Sequence, residues 1–191
     1  METELKYIDE WLDLAKKGNH NSAEELYFDK IFPELINVFE KKYSSLFGED
    51  QVLISMLGFS PEPIILTANA VKPKKHYVIT TDHKEEVINR VEEFIEQGFS
   101  IVTLADTKFE TIYKSLKEIL LEIESSNITI DITGGKKSMV AAASIFGKDY
   151  RCKITYVDFE KYLKELRKPY PGTEILNVVY NPEINQPEIH I

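Results

Sequence analysis

The chain has 191 residues, of which 43% are hydrophobic and 29% charged, and its formal net charge is −9. This length suits one domain with at most a small appendage, and the composition is ordinary for a soluble globular protein. The single cysteine, Cys152, excludes a disulfide framework within one chain. No secretory signal or membrane-length apolar run is present, so we expect a cytoplasmic protein without a membrane segment. One cysteine and four scattered histidines offer no metal-ligand spacing, so we expect no metal site.

The charge is unevenly distributed along the chain. Residues 1–50 carry twelve acidic and six basic side chains, whereas residues 136–168 carry nine basic and four acidic ones. The overall acidity argues against a protein that binds duplex DNA. A local basic region in an acidic protein indicates a discrete anionic ligand, although a solvated helix face explains the same counts.

Residues 1–48 are predicted to form a small helical appendage of two or three helices. Apolar residues follow helical spacing from Leu5 to Ala15. Ser22 and Glu25 fit a capping box that begins a second helix. Pro33 either breaks that helix or begins a third one in its first turn.

Residues 49–191 alternate short apolar runs with helical stretches. Strands are predicted at 52–57, 77–80, 101–104, 128–132, 153–157 and 175–180. Helices are predicted up to residue 71 and at 84–97, 106–125 and 136–147, the last of them ending at Gly147. This order is typical of an α/β, Rossmann-like domain whose mainly parallel sheet has helices on both faces. Ligands of such sheets bind beyond the carboxyl ends of the strands, so the segments that follow the strands should lie together.

The most informative segment is Asp131-Ile132-Thr133-Gly134-Gly135-Lys136-Lys137-Ser138-Met139, where a predicted strand leads into a predicted helix. The N–H groups at a helix start attract anions, and the two glycines let a ligand approach the backbone. Two lysines and two hydroxyls add donors that suit a phosphate. A P-loop is excluded, because the glycine required five positions before a Gly-Lys-Ser/Thr element is missing. A tight turn with solvent-facing lysines is the alternative, and the position after a strand favours binding.

Two further loops belong to the same predicted edge of the sheet. The segment Gly58-Phe59-Ser60-Pro61 lacks the spaced glycines of a dinucleotide fingerprint, so NAD binding is not expected. Ser60 is predicted to cap the next helix, with Pro61 in its first turn, and to point into the same crevice as Lys136. The loop from Arg167 to Glu174 is either a connector or a lid whose arginine and tyrosine stack on a base.

Residues 50–181 together resemble the CARF domain, the CRISPR-associated Rossmann-fold sensor of type III CRISPR systems. The resemblance rests on the Gly58 to Pro61 loop, on the Asp131 to Met139 segment, and on Tyr156-Val157-Asp158 leading to the Arg167 to Glu174 loop. Lys136 stands where many relatives have a threonine, which leaves open whether Lys136 or Lys137 faces the ligand.

The resemblance implies a homodimer that binds a cyclic oligoadenylate across its two-fold axis, with cyclic tetra-adenylate favoured over the hexamer. No cofactor is implied. We expect Ser60, Thr81 and Asp106 to line the crevice and Arg167 or Tyr170 to close over the ring. The full set of expected ligand-binding residues is Phe59, Ser60, Pro61, Thr81, Asp106, Thr133, Gly134, Gly135, Lys136, Lys137, Ser138, Met139, Arg167 and Tyr170.

The leading hypothesis is therefore a sensor in antiviral signalling that controls an effector domain or partner. The first alternative is a metal-independent ring nuclease, with Ser60, Lys136 and Lys137 as the candidate catalytic residues. The chain has no HEPN-type arginine–histidine motif and no Gly-x-Ser-x-Gly elbow. A transcriptional regulator and another Rossmann-like nucleotide-binding protein are the remaining alternatives, and the acidity of residues 1–50 weighs against the regulator.

Overall fold

A computed structural model describes residues 5–81, 85–125, 127–164, 166 and 168–185 of the chain. The helices are α1 (Ile8–Lys16), α2 (His20–Leu26), α3 (Phe32–Tyr43), α4 (Glu62–Val71), α5 (Glu85–Phe94), α6 (Phe109–Leu121) and α7 (Lys137–Asp149). A π-helical turn, Tyr27–Ile31, joins α2 to α3, and a short 3-10 turn, Ser44–Leu46, follows α3. The strands are β1 (Val52–Met56), β2 (Lys75–Thr80), β3 (Ser100–Thr103), β4 (Ile128–Asp131), β5 (Lys153–Phe159), β6 (Tyr162–Leu163), β7 (Lys168–Pro169) and β8 (Glu174–Tyr180).

Six of these strands form one sheet in the order β3-β2-β1-β4-β5-β8. The first five are parallel, and β8 pairs with β5 in the antiparallel direction. Every parallel connection passes through a helix, as parallel pairing requires. The predicted fold class, a mainly parallel Rossmann-like sheet, is therefore confirmed, and each predicted strand lies within two residues of its expected bounds.

Helices cover both faces of the sheet because its strands are apolar on both sides. Leu53 and Leu57 contribute to one core with α4 and α5, whereas Ile54 and Met56 contribute to a second core with α6 and α7. All five residues of β1 are buried, which explains why the sequence shows a mostly apolar run there rather than an alternating one.

The N-terminal helices pack on the face of the sheet that carries α4 and α5. Their buried residues belong to the same hydrophobic core as those two helices. The Phe32 ring meets the Phe94 ring of α5 edge-on at 5.2 Å between centroids, and the Arg90 guanidinium lies 4.1 Å from the Phe28 ring centre. Pro33 lies in the first turn of α3, as one of the two sequence alternatives expected.

The sequence predictions for the start of α2 and the end of α7 are wrong. The helix α2 begins at His20, two residues before Ser22, and no side chain caps it. Gly147 does not end α7, which continues to Asp149. A Cβ at Gly147 would lie 2.8 Å from Cγ1 of Ile154 on β5, so this glycine permits close packing of helix on strand rather than a turn.

No helix within the described ranges is long and apolar enough to cross a membrane.

A buried polar contact joins β1 and β2 inside the core that contains α4. The Oγ of Ser55 lies 3.0 Å from Nε2 of His76, and both side chains are buried. The Nδ1 of His76 is buried without a hydrogen-bond partner among the described residues. Burial lowers the pKa of His76 to about 3, so the ring is neutral at pH 7.

We expect this histidine to make the protein less stable in mild acid. In the unfolded chain a histidine titrates near 6.5. The free energy of unfolding is therefore highest above that pH, and it falls as the pH decreases from about 6.5 to 3, because the unfolded chain binds a proton that the folded protein does not. Between pH 7.5 and 5 the histidine should lower the free energy of unfolding by about 2 kcal/mol. Urea titrations at both pH values should show this difference in the wild type and not in His76→Gln. Ser55→Ala, which keeps the titrating ring, should retain it; an unchanged pH dependence in His76→Gln contradicts the assignment.

Candidate functional site

The site lies where the sheet changes its direction of winding. From β1 the strand order runs through β2 to β3 on one side and through β4 to β5 on the other. The loop after β1 leads to α4 on one face, and the loop after β4 leads to α7 on the opposite face. A crevice therefore opens between these two loops, at the point where doubly wound sheets bind ligands.

Glycines bring the two loops into direct contact. A Cβ at Gly134 would collide with the Met56 carbonyl oxygen and lie 2.7 Å from the Gly58 backbone nitrogen. A Cβ at Gly58 would lie 3.1 Å from the Gly135 nitrogen. Gly135 has a φ of +83°, a conformation that favours glycine. The two glycine segments found in the sequence thus form one continuous backbone surface.

A buried carboxylate fixes the loop after β4. The Oδ1 of Asp131 accepts hydrogen bonds from the backbone N–H of Thr133 at 3.0 Å and from its hydroxyl at 2.5 Å. The hydroxyl oxygen of Thr133 in turn accepts a hydrogen bond from the N–H of Val157 on β5 at 2.8 Å. Burial raises the pKa of Asp131 to about 6, and the bonds from Thr133 oppose that rise. The hydroxyl of Thr133 is therefore engaged in holding β4, β5 and the loop together.

The start of α7 presents donors to the crevice. Lys136 is the N-cap residue in an extended conformation, and neither a side-chain cap nor an acidic residue occupies the first turn. Lys136, Lys137 and Ser138 are exposed. The N–H groups of an uncapped helix start carry partial positive charge, and two lysines beside them strengthen an anion site.

An open depression of about 480 Å³ extends from this helix start along α7. Its lining residues are Ile132, Thr133, Gly135, Lys137, Val140, Ala141 and Tyr156. Lys137 lines the depression, whereas Lys136 does not. Of the two lysines between which the sequence could not choose, Lys137 is therefore the one beside the open space.

The loop after β1 differs from its prediction. The helix α4 begins at Glu62 with Pro61 as its N-cap residue, and no side chain caps it, so the predicted cap by Ser60 is wrong. Ser60 is exposed, and the Phe59 side chain is 82% exposed. Both residues lie in the loop between β1 and α4, before the helix begins.

The other expected ligand residues are spread along the carboxyl edge of the sheet. Thr81 follows β2, next to β1, whereas Asp106 follows β3 at the far edge, about 14 Å from β4 at the usual strand spacing. The Asp106 carboxylate accepts the Lys108 N–H at 3.0 Å at the start of α6. Met139 is buried beneath Gly135 in the core. Tyr170 is half-buried beyond β7, and Arg167 lies outside the described residues.

Two groups near the crevice were not found from the sequence. Glu62 and Glu174 are largely buried carboxylates close to Tyr27, where the N-terminal helices meet α4 and β8. Burial, together with the nearby charge of Glu62, raises the pKa of Glu174 to about 7. Phe159 and Tyr162 form an exposed aromatic pair after β5. The sequence offered a signal for Phe159 and Tyr162, which are large aromatic residues just after a predicted strand. It offered none for the burial of Glu62 and Glu174.

Within the described ranges, no three histidine, cysteine or carboxylate side chains lie close enough together to hold a metal ion.

We expect Gly134→Ala to separate the two loops. The added methyl group would meet backbone atoms of Met56 and Gly58, which cannot rotate away. The free energy of unfolding should fall by about 1–3 kcal/mol, the usual cost of overpacking. Chemical denaturation measures this change. Gly48→Ala is the matched control because a Cβ there meets no atom within 4 Å; equal stability of the two variants contradicts the contact.

Comparisons with known proteins agree with this architecture. No protein-family model matches the chain. The chain is 28% identical over 180 residues, 89% of its length, to the CRISPR system endoribonuclease Csm6 of Thermus thermophilus, and it spans 38% of the length of that relative.

Two solved structures match part of the chain. Can2 from Sulfobacillus thermosulfidooxidans, in complex with cyclic tetra-adenylate, matches with a TM-score of 0.52 and 18% identity over 62% of this chain and 36% of Can2. Csm6 of Enterococcus italicus, bound to cyclic hexa-2′-fluoro-hexa-dAMP, has a TM-score of 0.48 and 13% identity over 62% of this chain and 37% of its own.

At 18% identity the likeness to Can2 establishes the fold, and the relation to Csm6 extends over nearly the whole chain. The glycine and lysine segment lies at the switch point of that fold. The chain is therefore similar in sequence to Csm6 of Thermus thermophilus and in fold to Can2.

Proposed function

We propose that this chain is a sensor that binds a cyclic oligoadenylate, with cyclic tetra-adenylate favoured, across a homodimer in type III CRISPR antiviral signalling. The observation that carries the proposal is the uncapped start of α7 with its two exposed lysines, in contact with the Gly58 loop. Can2, which shares the fold, was solved with cyclic tetra-adenylate. In this proposal residues 49–191 form a cytoplasmic sensing domain, and the helices of residues 1–48 extend it.

The chemistry of the loop suits a phosphodiester. Backbone N–H groups and a lysine can satisfy phosphate oxygens without any sequence-specific contact. Because Thr133 is held by Asp131 and Val157, the donors left for a phosphate are Lys136, Lys137, Ser138 and the helix N–H groups. Phe59, Ser60 and Thr81 would then face the ribose and base, and Arg167 or Tyr170 would close over the ring.

The homodimer is supported by the outer face of α7. Ala141 and Ile145 lie one turn apart on that face, and Ile145 is 49% exposed. Ala141 also lines the depression with Val140 and Tyr156, so an apolar surface continues directly from the phosphate site. A second copy packed there would bury this surface and bring two identical half-sites together around one ring.

Lys137→Ala should weaken binding of cyclic tetra-adenylate by roughly 10- to 100-fold, since hydrogen bonds from charged groups contribute about 1.5–3 kcal/mol each. Lys136→Ala should have a smaller effect, and the double variant the largest. Calorimetric titration with the tetra- and hexa-adenylate rings measures both affinity and the expected ratio of one ring to two chains.

Lys148→Ala, in the last turn of the same helix, is the matched control and should bind like the wild type. Unchanged affinity in the double variant would refute the placement of the site.

Chromatography of the ring after incubation distinguishes a sensor, which returns the ring intact, from a ring nuclease acting through Ser60, Lys136 or Lys137. Failure of the wild type to bind either ring would favour another Rossmann-like nucleotide-binding protein.

Ile145→Glu should convert the dimer to a monomer, because it places a charge in the centre of the proposed interface. Sedimentation equilibrium measures the molecular mass, and ring binding should weaken in parallel. Leu121→Glu is the control, as Leu121 is 87% exposed at the end of α6. A dimer that persists in Ile145→Glu, or a wild type that is already monomeric, contradicts the interface.

A further inference from the structure

An exposed pair of aromatic rings lies where β5 ends and β6 begins. The centroids of Phe159 and Tyr162 are 5.3 Å apart, and their planes are inclined by 28°, so the rings are stacked. The Phe159 side chain is 39% exposed and that of Tyr162 is 46% exposed. Two large rings that stack on each other yet remain open to solvent are typical of a binding surface rather than a core.

The segment that carries these rings is held in place by its own backbone. The N–H of Glu160 donates to the Thr173 carbonyl at 2.9 Å, and the N–H of Tyr170 donates to the Lys161 carbonyl at 2.9 Å. The Thr173 hydroxyl donates to the Tyr170 carbonyl at 2.7 Å. The rings therefore project from a closed loop, and little conformational entropy would be lost when a ligand contacts them.

The strand that carries Phe159 also holds the loop of the phosphate site. Val157 donates its N–H to Thr133, and Phe159 follows two residues later, about 7 Å further along the strand. Side chains alternate along β5, so Phe159 lies on the same face as Val157, the face that carries α4. Glu160 and Lys161, between the two rings in sequence, are both exposed and their charges offset each other, so the pair offers ring faces without net charge. Exposed aromatic rings are the usual stacking platform for the bases of single-stranded nucleotides.

We propose that the Phe159–Tyr162 pair stacks against an adenine base of the ring whose phosphates are bound at the start of α7. This inference rests on the proposed function and extends it from phosphate binding to base binding. Stacking uses the face of the base and needs no hydrogen-bond pattern, so the pair contributes affinity, whereas other groups distinguish adenine from other bases.

The test compares Phe159→Ala/Tyr162→Ala with the wild type by calorimetric titration with cyclic tetra-adenylate. The double variant should bind about 5- to 100-fold more weakly, which corresponds to ~1–3 kcal/mol of stacking. Phe159→Tyr/Tyr162→Phe, which keeps both rings, should bind like the wild type. Tyr150→Ala is the matched control, because Tyr150 is also 39% exposed and stacked on a phenylalanine, but at the opposite end of α7.

A second measurement separates stacking from an indirect effect on the fold. A tetra-adenylate ring with one 2-aminopurine should lose fluorescence on binding to the wild type, because stacking quenches this base. The double alanine variant, at saturating protein, should leave the fluorescence near that of the free ring. Equal affinity and equal quenching in wild type and variant would overturn the proposal. It would also be overturned if the variant dissociated into monomers and still quenched the fluorescence fully at saturation, because the rings would then act on the dimer and not on the base.

The outcomes also separate the two proposals. If Lys137→Ala weakens binding and the aromatic variant does not, the sensor function stands and base stacking at this pair is refuted. If the wild type binds neither the tetra- nor the hexa-adenylate ring, both proposals fall.

Discussion

The contact between Gly58 and Gly134 is the constraint on which the geometry of the crevice depends. Neither residue has a side chain, so the loops after β1 and β4 meet backbone to backbone at the switch point of the sheet. This contact brings the starts of α4 and α7 next to each other, although they lie on opposite faces. A ligand in the crevice therefore meets a floor of peptide groups, and its phosphates can approach N–H donors that a bulkier floor would hold away.

The Asp131–Thr133–Val157 chain of hydrogen bonds gives this floor its stiffness. It crosses from β4 through the loop to β5, and each member is buried or half-buried. Burial disfavours the ionised form of Asp131, whereas the two hydrogen bonds that Thr133 donates favour it. The segment from Asp131 to Met139 thus has two parts. Asp131 and Thr133 fix the conformation of the loop, and the exposed residues around Lys137 border the open depression.

The sequence predicts the fold better than it predicts the roles of individual site residues. Strands buried on both faces leave long apolar runs, so β1 and its neighbours were recognisable from local pattern alone. Gly147 was misread as a helix end because its close approach to Ile154 depends on how α7 packs on β5, which no local signal carries. The same reason hid the role of Thr133, whose partner lies 24 residues away. The β6–β7 hairpin, with two residues in each strand, is too short for any periodicity.

The antiparallel strand β8 has a consequence for the edge of the sheet. It begins at Glu174, opposite Phe159, and ends at Tyr180, opposite Ile154. Its seven residues span about 20 Å, and it is one of the two edge strands of the sheet. Ile154 pairs with Tyr180 and Thr155 with Val178, so Val179 is an extra residue at which β8 bends. Such a bulge makes an open sheet edge a poorer template for pairing with a strand of another chain.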